Sequence, residues 1–394
     1  MNYIFFDDKA WHNLLPLTYT RPTAEIRIGI LTISDKWKKH LSGTFSYLTQ
    51  DYLSEKFPLR LEATNILING SICPSQELLS AIETLPENTF LTQGDLLIAA
   101  KISGTDFKIF LTEPEKIAQK AFDENVLKIS FPWEIFKHNG EAIVSDFELI
   151  TKGRISQPLG ETNRAINPEN IFIEEGASVL FAILNASTGP IYIGKDAEIM
   201  EGSIVRGPFA LCEHSALKMA AKIYGPTTIG PFSKVGGEIN NSVIFGFSNK
   251  AHDGFLGNSV LGEWCNLGAD TNNSNLKNNY EEVKLWSYPE ERFIKTGLQF
   301  CGLVMGDHSK SGINTMFNTG TVIGVSANIF GDGFPRNFIP SFSWGGAGGF
   351  QQYTTNKAID VAEKVYARRE MPLTEIDKNI LKHVHELDAK WRNF

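Results

Sequence analysis

The sequence predicts an α/β domain, then a parallel β-helix, then a helical tail, and three observations carry this. The first is a strict six-residue period. Ile193, Ile199, Val205, Leu211, Leu217, Ile223, Ile229 and Val235 place an aliphatic residue at every sixth position. A helix would need a period near 3.6 and a half-buried strand a period of two, so a period of six marks a hexapeptide repeat. The second is alternation of short apolar runs with a helical stretch before it, and the third is amphipathic patterning after it.

At the N-terminal end, Tyr3-Ile4-Phe5-Phe6 reads as a buried strand. Ile66-Leu67-Ile68 and Phe90-Leu91 read as further strands around a helix over Ser75 to Leu85 that follows Pro74. This alternation is that of an α/β domain. Gly94-Asp95 reads as a turn. Lys101 to Ile166 holds polar loops around Gly140 and Pro158 and the crossover into the repeat. The boundaries are placed at 1–165, 166–350 and 351–394.

In the repeat, the residues two before each aliphatic are small: Ala197, Ser203, Ser215, Ala221, Thr227 and Ser233 suit crowded corners. Gly194, Gly230 and Gly236 follow aliphatics and are expected to supply positive φ. The phase slips past Asn241 and Asn249 and returns at Phe255, Leu261 and Leu267; a second run holds Met305, Phe317, Ile323 and Ile329. Between the runs, Asn272 to Phe300 reads as a loop extruded from one coil, the kind of insertion that builds a binding face. Gly306-Asp307-His308-Ser309 reads as a repeat corner, since neighbours in a strand point to opposite faces. The glycines Gly345 to Gly349 lack the G-K-S/T of a phosphate loop and carry the chain off the repeat. In the tail, one helix is expected over Ala358 to Arg369 and a second after Pro372. The second is capped by Thr374 with Asp377, with Ile376, Ile380, Leu381 and Val384 as its apolar stripe.

A formal charge of −8 and a pI near 5.6 argue against nucleic acid or an anionic membrane as partner. No apolar run approaches the ~18 residues of a membrane span, and Met1 to Ala10 lacks a leader's basic start, so a cytoplasmic protein is expected. Cys73, Cys212, Cys265 and Cys301 are scattered without C-x-x-C or a His at ligand spacing, which predicts buried thiols and no metal site.

Two stretches resemble a known family. Pro16-Leu17-Thr18 with Arg21-Pro22 is similar to the P-L-T-x-x-R-P-K signature of sugar-1-phosphate nucleotidyltransferases. Phe6-Asp7-Asp8 stands where that signature has a Gly-rich turn, and Thr23 where it has Lys. Lys250-Ala251-His252-Asp253-Gly254-Phe255-Leu256-Gly257, with Asn266-Leu267-Gly268-Ala269-Asp270-Thr271 and Asn275, resembles the acetyltransferase half of the bacterial bifunctional enzyme that makes UDP-N-acetylglucosamine. The second resemblance runs from about Ile171 to Phe342 and is the stronger.

The resemblance implies a left-handed β-helix behind a nucleotidyltransferase-like domain, assembled as a homotrimer with each site between adjacent β-helices. It implies acetyl transfer from acetyl-CoA to an amino sugar phosphate, with His252 as general base and Glu238 orienting it. Phe255, Asn266 and Asn275 would hold the sugar, Lys250 and Lys277 would supply charge, and Ala269, Ile313 and Gly331 would contact coenzyme A. Asn240-Asn241 replaces the family's lysine pair, and Leu276 its second Tyr. For the first domain it implies nucleotidyl transfer with Mg2+, Arg21 and Arg27 gripping phosphate. Two rival readings follow: a sugar-nucleotide sensor or scaffold without turnover, and a carbonic-anhydrase-type metal site, for which His214, His252 and His308 are too widely spaced.

Overall fold

A computed structural model describes residues 1–394. It divides into two compact units. One takes in Met1–Leu14, Arg21–Ile26 and Leu31–Ser130, and the other Leu15–Thr20, Arg27–Ile30 and Phe131–Phe394. No helix is long and apolar enough to cross a membrane.

The first unit is a six-stranded mixed sheet. Its order is Thr44–Leu48, Asn2–Phe6, Thr64–Asn69, Leu96–Ser103, Thr89–Gln93, Ala118–Ala121. Asn2–Phe6 runs parallel to both neighbours, and all five of its residues are buried. Gly94-Asp95 makes the tight turn between antiparallel strands, with Gly94 at φ +55°. Ser75 accepts a hydrogen bond from the Leu78 amide and starts the helix Gln76–Glu83; Thr32 does the same through Asp35 for Ile33–His40.

The second unit is a parallel β-helix with three faces. Face 1 has nine strands from Ile171–Ile173 to Phe338–Ile339, face 2 ten from Ser178–Val179, and face 3 six from Arg164–Ile166 to Phe255–Gly257. All eight aliphatics of the six-residue period are at most 2% exposed and form one core with Leu256, Leu261, Leu267, Met305, Phe317, Ile323 and Ile329.

Coil length explains the slipped phase. On face 2 Glu198, Ala216 and Lys234 pair at intervals of 18 residues, but Lys234 pairs with Asn249, 15 on, and Asn249 with Asn266, 17 on. Leu256, not Phe255, therefore continues the inner column, and Phe255 points outward. Gly194, Gly230 and Gly236 do not have positive φ. That conformation falls on corner residues such as Asp196, His214, Phe232 and Phe247. Glycine is needed for clearance instead: a Cβ on Gly194 would lie 2.7 Å from the backbone of Cys212.

The extruded loop contains an antiparallel hairpin, Lys284–Ser287 with Arg292–Lys295. Val283, Leu285 and Tyr288 are buried, and Trp286 stacks on Phe338 at 4.3 Å. Its hairpin folds back on its own β-helix. Phe131 to Thr151 also joins the β-helix unit as the helices Pro132–Lys137 and Asn139–Thr151. Gly140, expected in a loop, lies in the second of these, where a Cβ would meet Pro226 at 2.9 Å.

The chain leaves the repeat through an antiparallel pair, Ser343–Gly346 with Gly349–Gln352. The tail helices Thr355–Ala367 and Glu375–Leu387 follow, the second with the Thr374–Asp377 capping box. Ile380, Leu381 and Val384 are buried, and the Tyr366 ring stacks on Trp264 at 3.9 Å. The tail therefore packs on its own β-helix.

Candidate active site

The short coil produces a recess. At the edge between faces 2 and 3, Gly236 and Gly237 replace a fuller corner, and a Cβ on Gly237 would lie 2.9 Å from the His252 carbonyl oxygen. Above this floor stand Ala251, His252 and Asp253, then Ala269 and Asp270; Met200, Lys218 and Met219 close the lower side of a cavity of about 550 Å³. The His252 side chain is exposed to it.

Ala269, Ile313 and Gly331 fall on the same edge. Asn314 donates its amide to the Ala269 carbonyl at 2.8 Å, and a Cβ on Gly268 would meet the Ile313 nitrogen at 2.7 Å, so successive corners stack closely. Ile313 is 71% exposed, and a Cβ on Gly331 would meet nothing within 4 Å. His252 and the three coenzyme A candidates thus line one open strip.

The sugar candidates divide between faces. Phe255, Asn258 and Asn275 form one cluster: Asn275 donates to the Asn258 side chain at 2.8 Å, and the Phe255 ring lies over Gly257 beside the Asn275 amide. Asn266 is on face 2, paired with Asn249 and Lys310. Asn266 does not line the recess that holds His252.

Glu238 does not orient His252. Its carboxylate accepts from the Tyr224 hydroxyl at 2.5 Å and lies 3.9 Å from the Lys222 ammonium, and no hydrogen bond joins it to the imidazole. Lys277 donates to the Glu282 carbonyl at 3.1 Å, inside the extruded loop. Lys250, expected to supply charge to the substrate, is 1% exposed. A lysine in the aliphatic column has no counterpart in a hydrophobic-period reading, so its place there was not legible. Met200, Lys218, Met219, Asp253 and Asp270 were also missed as site residues, and the shortened coil is the signal that points to them.

Arg21 and Arg27 are not presented to a phosphate. Arg21 is 5% exposed. Arg27 donates its Nε to the Phe245 carbonyl at 3.0 Å and its Nη1 to the Ile30 carbonyl, pinning an N-terminal segment to the β-helix. The signature segment Leu15–Thr20 belongs to the same unit. Leu17 and Thr18 are 0% exposed, Tyr19 donates its hydroxyl to Asp388 at 2.9 Å, and Thr20 to Asp307 at 2.6 Å.

In the first unit, Asp7 and Asp8 follow the first strand, at the sheet end where α/β folds bind ligands. Asp7 accepts from the Thr23 amide at 2.8 Å and the Thr49 hydroxyl at 2.5 Å; burial pushes its carboxyl up to about 6. Asp8 accepts from the Ala10 amide at 2.8 Å and lies 3.1 Å from Lys128, whose ammonium helps hold it ionised. With both carboxylates engaged internally, and Asp95 in an exposed turn, these residues do not fit an Mg2+ ion. In neither unit do three His, Cys, Asp or Glu side chains converge. All four cysteines are buried and none forms a disulfide.

Residues 3–155 match the family model described as sugar nucleotidyl transferase, the part of the chain where the resemblance read from the residues was thin. The chain is 29% identical over 144 residues to a bifunctional sugar-1-phosphate nucleotidylyltransferase/acetyltransferase of Sulfurisphaera tokodaii, 36% of this chain and 35% of that one. It is 34% identical over 92 residues to the bifunctional protein GlmU of Methanococcus aeolicus, 23% of this chain and 22% of that one. The match to GlmU of Gloeothece citriformis is 29% over 175 residues, 44% and 30% of the two chains. The chain thus spans about a third or less of the length of these relatives. Among solved structures, an Arabidopsis UDP-N-acetylglucosamine acyltransferase matches with TM-score 0.23 and 15% identity, over 59% of this chain and 91% of that one.

Proposed function

We propose that this chain, a GlmU-like relative of the bifunctional nucleotidylyltransferase/acetyltransferases, is a sugar-nucleotide biosynthetic transferase whose β-helix acetylates the amine of an amino sugar phosphate. The observation that carries this is the placing of His252 in the same recess as Ala269, at the foot of an open strip that continues through Ile313 and Gly331. Ala269, Ile313 and Gly331 would hold the donor, largely through backbone, and acetyl-CoA supplies an activated acetyl thioester. His252 takes the proton from the acceptor amine as its nitrogen attacks; a positioned base of this kind contributes roughly 10²- to 10⁴-fold. Its exposed imidazole needs no partner in the chain to reach such a proton.

The site is completed between copies. Leu180, Phe181, Ile183, Ile204 and Met219 are between 45% and 68% exposed on face 3 and its edge, an apolar surface suited to another subunit. Asn266, facing another way, would meet the His252 recess of the neighbouring copy in a homotrimer. That none of the four cysteines forms a disulfide supports a cytoplasmic location.

For the first unit we favour binding of a sugar nucleotide without turnover. The segment Leu15–Thr20 that would grip its nucleotide belongs instead to the β-helix unit, and Asp8 and Lys128 neutralise each other. The deciding assay is thiol release from acetyl-CoA with glucosamine-1-phosphate, comparing wild type with His252→Ala, and pyrophosphate release from UTP in parallel. Acceptor-dependent thiol release should fall by about 10² or more in the variant, with pyrophosphate at background in both. Full activity of His252→Ala would sink the assignment.

A further inference from the structure

We infer that Lys250 is a positioning residue for acetyl transfer, its buried ammonium fixing the backbone corner that carries His252; this rests on the acetyltransferase reading above. Lys250 sits in the inner column of face 2, paired with Val235 and, because Asn249 pairs with Asn266, next to Leu267. Both of those neighbours are buried aliphatics of the core. Packing alone asks for a third aliphatic there. Burying an ammonium is costly unless its donors are used, so a lysine at this position calls for a compensating role.

The side chain shows that role. Its Nζ donates to the carbonyl oxygens of Gly236 at 3.2 Å, of Asp253 at 2.9 Å and of His252 itself. All three donors of the ammonium are spent, and all on backbone. Gly236 lies on the floor of the recess, and His252 and Asp253 in its wall. One cation thus ties the floor coil to the catalytic corner from inside the prism.

The corner needs such a tie. The coil beneath it is the 15-residue one, so the regular stacking of successive corners is interrupted here. Gly254 holds φ +109°, a conformation that side chains rarely adopt, and a Cβ on Gly236 would lie 2.5 Å from the Ala251 carbonyl oxygen. Outside the strand ladders, neighbouring coils reach this corner through Asp270 N to Asp253 O at 3.1 Å, Glu238 N to Gly254 O at 3.2 Å and Gly236 N to Lys250 O at 2.8 Å. None of them holds the His252 carbonyl. Lys250 does, and so fixes the origin from which the imidazole projects. Burial also pushes its ammonium down to about 8, against the pull of Asp253 and Asp270, in keeping with a dry site.

The test is Lys250→Met, which keeps the length and fills the column while removing the three hydrogen bonds. Val235→Ala, which thins the same column but leaves the ammonium in place, is the control. In Lys250→Met, kcat for acetyl transfer should fall about 10- to 100-fold, the scale of a misplaced catalytic group. KM for acetyl-CoA should hold, and kcat of Val235→Ala should stay near wild type. The His252 Cε1 resonance, assigned from its loss in His252→Gln, should move in Lys250→Met only. An unchanged kcat, or an equal loss in Val235→Ala, would overturn the proposal. If wild type transfers no acetyl group, the acetyltransferase reading has failed, and an unmoved His252 resonance in Lys250→Met would then overturn this inference separately.

Discussion

Tyr19→Phe tests whether the signature segment is a structural clasp. Tyr19 is 4% exposed and its hydroxyl is 2.9 Å from Asp388, a carboxyl that is 0% exposed and also accepts the Ser341 amide. Burial raises the Asp388 carboxyl to about 6, with the Tyr19 and Ser341 hydrogen bonds opposing. An acid whose folded value lies above its unfolded 3.8 holds its proton in the folded state through that window. The folded state therefore binds more protons there, and stability falls as pH rises from about 4 to 6 and is level above it. Above pH 6 the lost hydrogen bond is to a buried carboxylate, worth about 1.5–3 kcal/mol; below it the partner is neutral and the loss is about 0.5–1.5 kcal/mol. Urea midpoints at pH 8 and pH 5, read by tryptophan fluorescence, give both values. Tyr19→Phe should widen the wild-type drop between pH 5 and pH 8 by about 1 kcal/mol or more. A variant as stable as wild type at pH 8, or one with equal loss at both pH values, would refute the clasp and return the segment to a ligand-binding role.

Two further outcomes check the β-helix. Ala269→Trp should fill the recess and raise KM for acetyl-CoA by about tenfold or more, the scale of ~1.4 kcal/mol of lost binding, with little change in melting temperature; an unchanged KM would move the donor elsewhere. Ile183→Lys with Ile204→Lys places two charges on the apolar face, each residue now about half exposed. Sedimentation should then report a smaller species than wild type, and an unaltered assembly would mean that another face forms the contact.

Much of the fold is legible because the hydrophobic period is a direct consequence of geometry. Each coil of the β-helix must bury one residue per face, so Ile193 to Val235 announce themselves at every sixth position. The breaks at Asn241 and Asn249 were visible too, but not their meaning: a 15-residue coil and a 17-residue coil shift Leu256 rather than Phe255 into the column. Gly140 was misplaced in a loop because glycine is a poor helix former, and only the neighbouring Pro226 shows why no side chain is tolerated there.

The site divides in the same way. Candidates that lie on one edge of the repeat, His252, Ala269, Ile313 and Gly331, fall together because a register fixes an edge. Residues whose role depends on partners distant in sequence do not. Arg27 is consumed by the Phe245 and Ile30 carbonyls, Glu238 by Tyr224 and Lys222, and Lys250 by three carbonyls within the prism. A charged side chain carries the same letter whether it faces solvent or fills a core. By itself the sequence determined the period, the small residues at the corners and the stacking of the edge that carries His252, all of which follow from local spacing. Only the tertiary structure decided which charges are spent on backbone and which remain for a ligand, because long-range hydrogen bonds leave no period to read.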